Sequence, residues 1–287
     1  MEMDLNGRIK EIYSSMSKGQ KLIAEYILNN YDKAAFMTAS KLGKTVGVSE
    51  STVVRFAGAL GYDGYPRLQK ALQEMIRNKL TMVQRIELSN DMRNEDVLRK
   101  VLKADINNIR HTINEMMNEQ MFDEVVEKIF TAKHIYILGL RSAAPLAEFF
   151  GYYLRFIFNN VRVVTSGIND VVEQLSHIQE DDLLFAISFP RYARRTVDAV
   201  AFSREQGAET VALTDSQLSP LTSYADHVIL AKSNMASFVD SLVAPLSLIN
   251  ALIVSVGLRK KADVSSEFLR LEKIWDEYQV YVGKDRI

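Results

Sequence analysis

Five short apolar runs constrain most of what this chain can become. IYILG (135–139), VRVV (161–164), LLFAI (183–187), TVAL (210–213) and VIL (228–230) recur with helical segments between them. Successive side chains of a strand point to opposite faces, so a strand with one wet face alternates apolar and polar residues. Apart from Arg162 and Thr210, these runs are apolar on both parities, which suits parallel strands buried between helix layers. The expected fold from residue 106 to 287 is therefore a doubly wound parallel-sheet α/β domain of about five strands. Its helices are expected at Ala143–Phe158, near Val171–His177 and near Thr196–Gln206. A long helix over Asp240–Leu258, read as buried, and a tail helix over Ser266–Tyr281 follow.

Residues 1–80 read differently, as a set of short helices. Ser17 is placed to cap KGQKLIAEYILNN, whose Leu22, Ile23, Tyr26 and Ile27 share a face. A further helix is expected near Met37–Lys44 and another over Ser49–Leu60, ending at Gly61. Pro66 opens one more, toward Lys79. Within TASKLGKTVGVSESTVVRFAGALGY, Gly47 falls where a tight turn needs a residue free of a Cβ penalty. Ser49 can cap the helix after it. Two helices joined by such a turn form a helix-turn-helix, which presents the start of its second helix to the DNA major groove. Val53, Phe56 and Leu60 share an inward face. Ser49, Glu50, Ser51, Thr52 and Arg55 are then the candidate reading residues, and Lys44, Arg67 and Lys70 the candidate phosphate contacts. Gly43 departs from the pattern, since a small helix former such as alanine is usual there.

The charge distribution agrees. Residues 1–80 hold 12 Lys/Arg against 8 Asp/Glu, and the remainder 23 against 28, although the whole chain is near neutral. A basic end on an acidic remainder points to a polyanion partner at that end only.

Residues 81–105 are expected to be a polar linker running into a helix. From Asp96, apolar residues recur as Leu98, Leu102, Ile106, Ile109, Ile113 and Met116, the spacing of an amphipathic helix. Such a stripe fits packing on its own domain or association with a second chain, and spacing does not choose between them.

Composition excludes several chemistries. There is no cysteine, so disulfides and cysteine-based metal or nucleophile sites are out, which fits a reducing cytoplasm. The four histidines are scattered without metal-ligand spacing, and no metal or cofactor is expected. MEMDLNGRIK is not read as a secretory signal. Val243–Leu258 is the longest apolar stretch. It is too short, and too interrupted by Pro245, Ser247, Asn250 and Ser255, to span a bilayer.

The run from SKGQKLIAEYILNN through VSESTVVRFAGALGYDGYPRL resembles the N-terminal domain of RpiR-type (MurR/RpiR) transcriptional regulators. The resemblance continues through HIYILGLRSAAPLAEFFGYYL, DDLLFAISF and GAETVALTDSQLSPLTSYADHVIL, in the order of a sugar isomerase (SIS) domain. It implies a cytoplasmic homodimer or homotetramer that binds a double-stranded DNA operator. It also implies a SIS domain that senses a small phosphosugar or related anion.

In SIS domains the ligand phosphate is held by Ser/Thr hydroxyls and backbone amides at the carboxyl ends of strands. Carried onto this chain, the first loop offers Arg141 and Ser142. The second loop of ordinary members reads S-x-S-G-x-T, whereas this chain reads SFPRYA. Ser188 is kept, Pro190 stands for the second serine, Arg191 for the glycine and Ala193 for the threonine. Proline removes an amide donor, and arginine brings a Cβ where bare backbone approached the phosphate. A guanidinium can instead supply planar charge-assisted contacts. Arg191 and Tyr192, nearest the strand end, are the candidates here, with Thr214 on the third loop. With Val197, Val200 and Ala201 facing the core, Arg194 and Arg195 fall on the outer side. An isomerase-like enzyme and a SIS domain that only dimerises are the alternative readings.

Overall fold

The computed structural model describes residues 5–77, 81–87, 96–167 and 170–282, in two compact units, Met1–Leu88 and Ser89–Ile287. The first unit is helical. It runs α1 (Leu5–Ile12), α2 (Lys18–Asn29), α3 (Tyr31–Ala34), α4 (Ala39–Val46), α5 (Glu50–Ala59), α6 (Tyr65–Arg77) and α7 (Met82–Glu87). Ser17 and Gln20 form a reciprocal capping box on α2, and Thr38 and Ser49 cap α4 and α5. Each cap supplies an acceptor to a first-turn amide that has no partner inside its own helix. Ile23, Ile27, Leu42, Val53, Phe56, Leu68 and Leu72 are fully buried and form the core of this unit.

Two glycines set the angle between α4 and α5. Gly47 ends α4 at φ 76°, the left-handed region. Gly43 explains its departure from the usual alanine. A Cβ there would lie 2.8 Å from the Val48 carbonyl oxygen, so its absence lets the turn close onto α4. From α6, the Tyr65 hydroxyl and Gln69 Nε2 both donate to the Met37 carbonyl at 2.8 and 2.9 Å. Gln73 Nε2 donates to Ala35 at 3.0 Å. These bonds satisfy carbonyls ahead of α4, and burial pushes the Tyr65 phenol up to about 12. The expected linker from residue 81 is helical over α7, with Arg85 buried; residues 88–95 lie outside the described residues.

The second unit begins with α8 (Val97–His111), which widens into a π turn over Thr112–Met116, and α9 (Glu119–Thr131). There follow β1 (Ile135–Gly139), α10 (Ala144–Leu154), β2 (Val161–Val164), α11 (Val171–Gln174), β3 (Leu183–Ile187), α12 (Arg194–Glu205), β4 (Glu209–Thr214) and β5 (His227–Leu230). α13 (Val243–Arg259) and α14 (Lys261–Glu277) complete the described fold. The strands form one parallel sheet in the order β2-β1-β3-β4-β5. Ile135 and Ile137 of β1 enter a core with α9, α10 and α13, while Tyr136 and Leu138 enter another with α11 and α12. Both parities are thus buried. Arg162 is tolerated because β2 is an edge strand; its guanidinium donates to the Tyr136 hydroxyl at 2.9 Å.

Two helices differ from expectation. On α12 the buried residues are Thr196, Ala199, Val200 and Ser203, one position round from the expected Val197–Val200–Ala201 face; these small side chains let the helix lie close to the sheet. The helix α13 was expected to be buried, yet Val243, Ser247, Asn250, Ala251, Val254 and Leu258 are exposed.

On α8 the polar side turns inward. Asn108 exchanges two bonds with the Asn234 backbone, at 3.0 and 3.1 Å. Thr112 Oγ1 accepts from Lys232 N at 2.9 Å, and Ser241 Oγ donates to Asp105 at 2.6 Å. The segment after β5 has no strand beyond it, so α8 supplies the partners its amides need.

The glycine contact gives a stability test. Gly43→Val should destabilise the chain by about 2 kcal/mol, since the added atoms meet backbone. Urea unfolding measures this, and an unchanged midpoint would mean that the turn relaxes freely.

Candidate functional sites

The exposed side of α5 presents Glu50, Ser51, Val54, Arg55 and Gly58, while Val53, Phe56 and Ala57 are buried. The expected reading residues do not all stand free. Ser49 Oγ lies 2.8 Å from Thr52 Oγ1 and 2.9 Å from Ser51 Oγ and accepts from the Thr52 amide, so this side chain fastens the helix start. Half-buried Thr52 also accepts from Arg55 at 3.5 Å. Lys44 and Arg67 are exposed, and Lys70 is half-buried. The sequence reading missed Val54. It sits mid-face and exposed, an apolar group of the kind that meets a thymine methyl. Its place on the same side as Glu50 and Gly58, both exposed, could have shown this, had the whole wheel been drawn.

The second site follows from the sheet order. In a 2-1-3-4-5 sheet the connections leave β1 and β3 in opposite directions, opening a crevice at their carboxyl ends. Leu140–Ala143 leave β1 there, and residues 188–193 leave β3. Two arginines bend these loops. Arg141 has φ 56° and Arg191 has φ 63°, both left-handed. This conformation costs a side-chain-bearing residue free energy and tends to persist at ligand-contact positions. Arg191 keeps a glycine-type conformation while adding a guanidinium. Both side chains are exposed, and among the described residues neither has a hydrogen bond or ion pair. Arg195 pairs with Asp170, and Arg194 lies 3.7 Å from Asp198 along the surface of α12.

The serines differ. Ser142 is exposed, whereas Ser188 is buried with its amide donating to Leu213 O at 3.1 Å. Neither α10 nor α12 has a side-chain cap, but in α10 the Ala144 amide donates to Arg141 O and Pro145 has none, while in α12 the Thr196 amide donates to Ala193 O at 2.9 Å. Thr196, in the first turn of α12, is fully buried with no partner for Oγ1 among the described residues.

Tyr192 and Thr214 are engaged internally. The Tyr192 hydroxyl donates to Asp215 Oδ1 at 2.7 Å, tying the β3 loop to the end of β4. Thr214, fully buried, shares a 2.8 Å bond with Ser219. They hold the loops rather than line an opening. His134 and His227 lie at the amino ends of β1 and β5, bonded to Asp182 and Glu209, far along the strands from the crevice. No group of acidic and histidine side chains fit to hold a metal occurs among the described residues. No described helix is long and apolar enough to cross a membrane.

Residues 3–79 match the helix-turn-helix domain of the rpiR family, and residues 128–255 match the SIS domain. An HTH-type transcriptional regulator of Haemophilus influenzae is 30% identical over 227 residues, 78% of each chain. The chain belongs to the rpiR family. It is a transcriptional regulator that joins a helix-turn-helix to a SIS domain. The sugar isomerase domain of an RpiR transcription factor from Sphaerobacter thermophilus superposes with TM-score 0.59 at 29% identity, covering 62% of this chain and 99% of that one. Vibrio vulnificus NanR, solved with ManNAc-6P, is similar in fold at TM-score 0.58 and 21% identity, over 95% of this chain and 98% of that one.

Removing the tie across the loops tests its weight. Tyr192→Phe takes a donor from the buried Asp215 carboxylate and should cost about 1.5 kcal/mol in urea unfolding. No change would mean that the bond adds nothing to stability.

Proposed function

We propose that this rpiR-family regulator binds a two-fold DNA operator through paired α5 helices and changes its affinity when its SIS domain takes up a small anionic, sugar-related metabolite. On the DNA side, Arg55, Ser51, Glu50 and Val54 meet base edges. Thr52 and Ser49 hold the start of α5, and Lys44, Arg67 and Lys70 meet phosphates. Paired heads follow from symmetry, since a two-fold site needs two copies. Operator binding implies a cytoplasmic protein.

One observation carries the effector reading: two left-handed arginines without partners stand at the carboxyl ends of adjacent strands β1 and β3. They are aided by the uncapped start of α12 and by the hydroxyls of Ser142 and Ser188. Tyr192 and Thr214 position the loops. ManNAc-6P in the NanR structure supports a phosphosugar-like class. Sensing is favoured over turnover. Glu173, a carboxylate near the sheet end, is held in the capping box of α11 with Asp170, and Glu267 lies 3.6 Å from Arg270 on α14.

Two measurements test this. In a mobility-shift titration with the native operator, Arg55→Ala combined with Thr52→Ala should weaken specific binding by at least tenfold, about 1.4 kcal/mol. Intact binding would remove this face from recognition. For the effector, a thermal-shift panel of sugar phosphates, sugar acids and neutral sugars selects a ligand by its rise in Tm. Calorimetry with that ligand should then show Arg191→Ala binding at least tenfold more weakly. Equal affinity would take Arg191 out of the site.

A further inference from the structure

Glu50 stands out among the charges of the helix pair. α4 and α5 carry Lys41, Lys44 and Arg55, and Glu50 is their single acidic residue. It lies exposed in the first turn of α5, and among the described residues its carboxylate has no hydrogen bond or ion pair. A carboxylate there favours the helix dipole, but α5 already has its cap, since Ser49 Oγ accepts from the Thr52 amide. In the major groove the same charge lies between rows of phosphates, where it opposes binding at every sequence. Only a donor on a base edge offsets that repulsion. Such donors are few. Guanine shows N7 and O6, and thymine O4, all acceptors. Adenine offers its N6 amino group beside the N7 acceptor, which repels a carboxylate. Cytosine alone offers an amino group with no acceptor next to it.

Resting on the operator reading proposed above, we infer that Glu50 makes cytosine obligatory at one position in each half of the operator, its carboxylate accepting from the cytosine N4 amino group. Helix phase fixes what lies beside that base. Val54 follows Glu50 by four residues, so the two share a ridge of α5, about 6 Å apart along its axis. Base pairs rise by about 3.4 Å, so the thymine methyl suited to Val54 lies within about two pairs of the cytosine. Ser51 and Arg55 share the neighbouring ridge by the same spacing. Arg55 reaches Thr52 Oγ1 only at 3.5 Å, a length at which little is lost when the guanidinium turns to a guanine. The half-site chemistry is thus a cytosine with a thymine close by on one ridge and a guanine on the other.

The test is selection by the full chain from a pool of random-sequence DNA duplexes. The wild type should enrich one inverted-repeat motif with cytosine at a fixed position of each half. Glu50→Gln keeps the size and loses the charge, and glutamine pairs best with adenine N6 and N7. This variant should no longer require cytosine there and should keep every other position, with far-UV circular dichroism unchanged because Glu50 is exposed. In a mobility-shift titration with the wild-type motif, exchanging that C·G pair for T·A should weaken the wild type about tenfold and Glu50→Gln no more than about threefold. Equal losses in the two proteins would overturn the inference. So would a wild-type motif without the fixed cytosine, or a Glu50→Gln variant that selects the same motif and merely binds all duplexes more tightly, since Glu50 would then act through its charge alone. Those outcomes leave the operator reading standing, whereas a wild type that enriches no motif overturns that reading and this inference together.

Discussion

Burial of the sheet on both faces is the constraint on which the second unit depends. Once α9, α10 and α13 cover one side and α11 and α12 the other, the backbone comes to the surface only at the strand ends. Chemistry is then confined to those ends. The order β2-β1-β3-β4-β5 selects one place among them, because only between β1 and β3 do the chain's crossovers diverge. Arg141 and Arg191 stand at that divergence for topological reasons. Neither loop carries a glycine at the left-handed position, so each arginine bears a backbone cost that the surrounding bonds must offset. The Tyr192–Asp215 bond does this for the second loop, fixing the residue next to Arg191 to the end of β4.

The strands were legible in the sequence because their pattern has one physical reading. A run apolar on both parities has no wet face, and LLFAI is buried throughout. The turn between α4 and α5 was legible for a similar reason, as Gly47 and Ser49 each answer a local backbone need. What the sequence could not convey is which side of a helix is covered. Periodicity groups Leu98, Leu102, Ile106 and Ile113 on one stripe, but their exposure depends on Asn108 and Thr112 finding backbone partners 120 residues or more away. The same limit shifted α12 by one position, because Thr196 and Ser203 are polar by type yet small enough to lie against the sheet. The left-handed state of Arg191 was also hidden. The family pattern put it in a glycine's place, but only the structure records that it keeps a glycine's φ.

The inversion of α8 has a consistent energetic logic. Backbone groups beyond the last strand need partners, and an apolar helix face has none to offer. Turning Asn108, Thr112 and Asp105 inward satisfies them and leaves the apolar residues outside. In a lone chain that exchange is unfavourable, because each buried leucine or isoleucine side chain is worth about 1.5–3 kcal/mol relative to water.

Helix α10 connects these surfaces. It begins directly after Arg141 and Ser142, and along its length it packs on α13, whose far side is the open apolar face. An anion held at the start of α10 would therefore act on an element that also packs on α13. Position alone does not make this a switch. A ligand moves an equilibrium only by the difference in its affinity for two arrangements, and tight binding to both moves nothing. The two arginines provide a source for such a difference. Their loops end on separate strands and feed separate helices, α10 and α12, on opposite faces of the sheet. A ligand that bridges both guanidiniums favours the arrangement in which those helix starts stand at one spacing, whereas a ligand that reaches only one constrains neither. On the proposed reading, coupling to the DNA-reading heads requires an anion large enough to span both loops, which makes effector size as well as charge a determinant of the response.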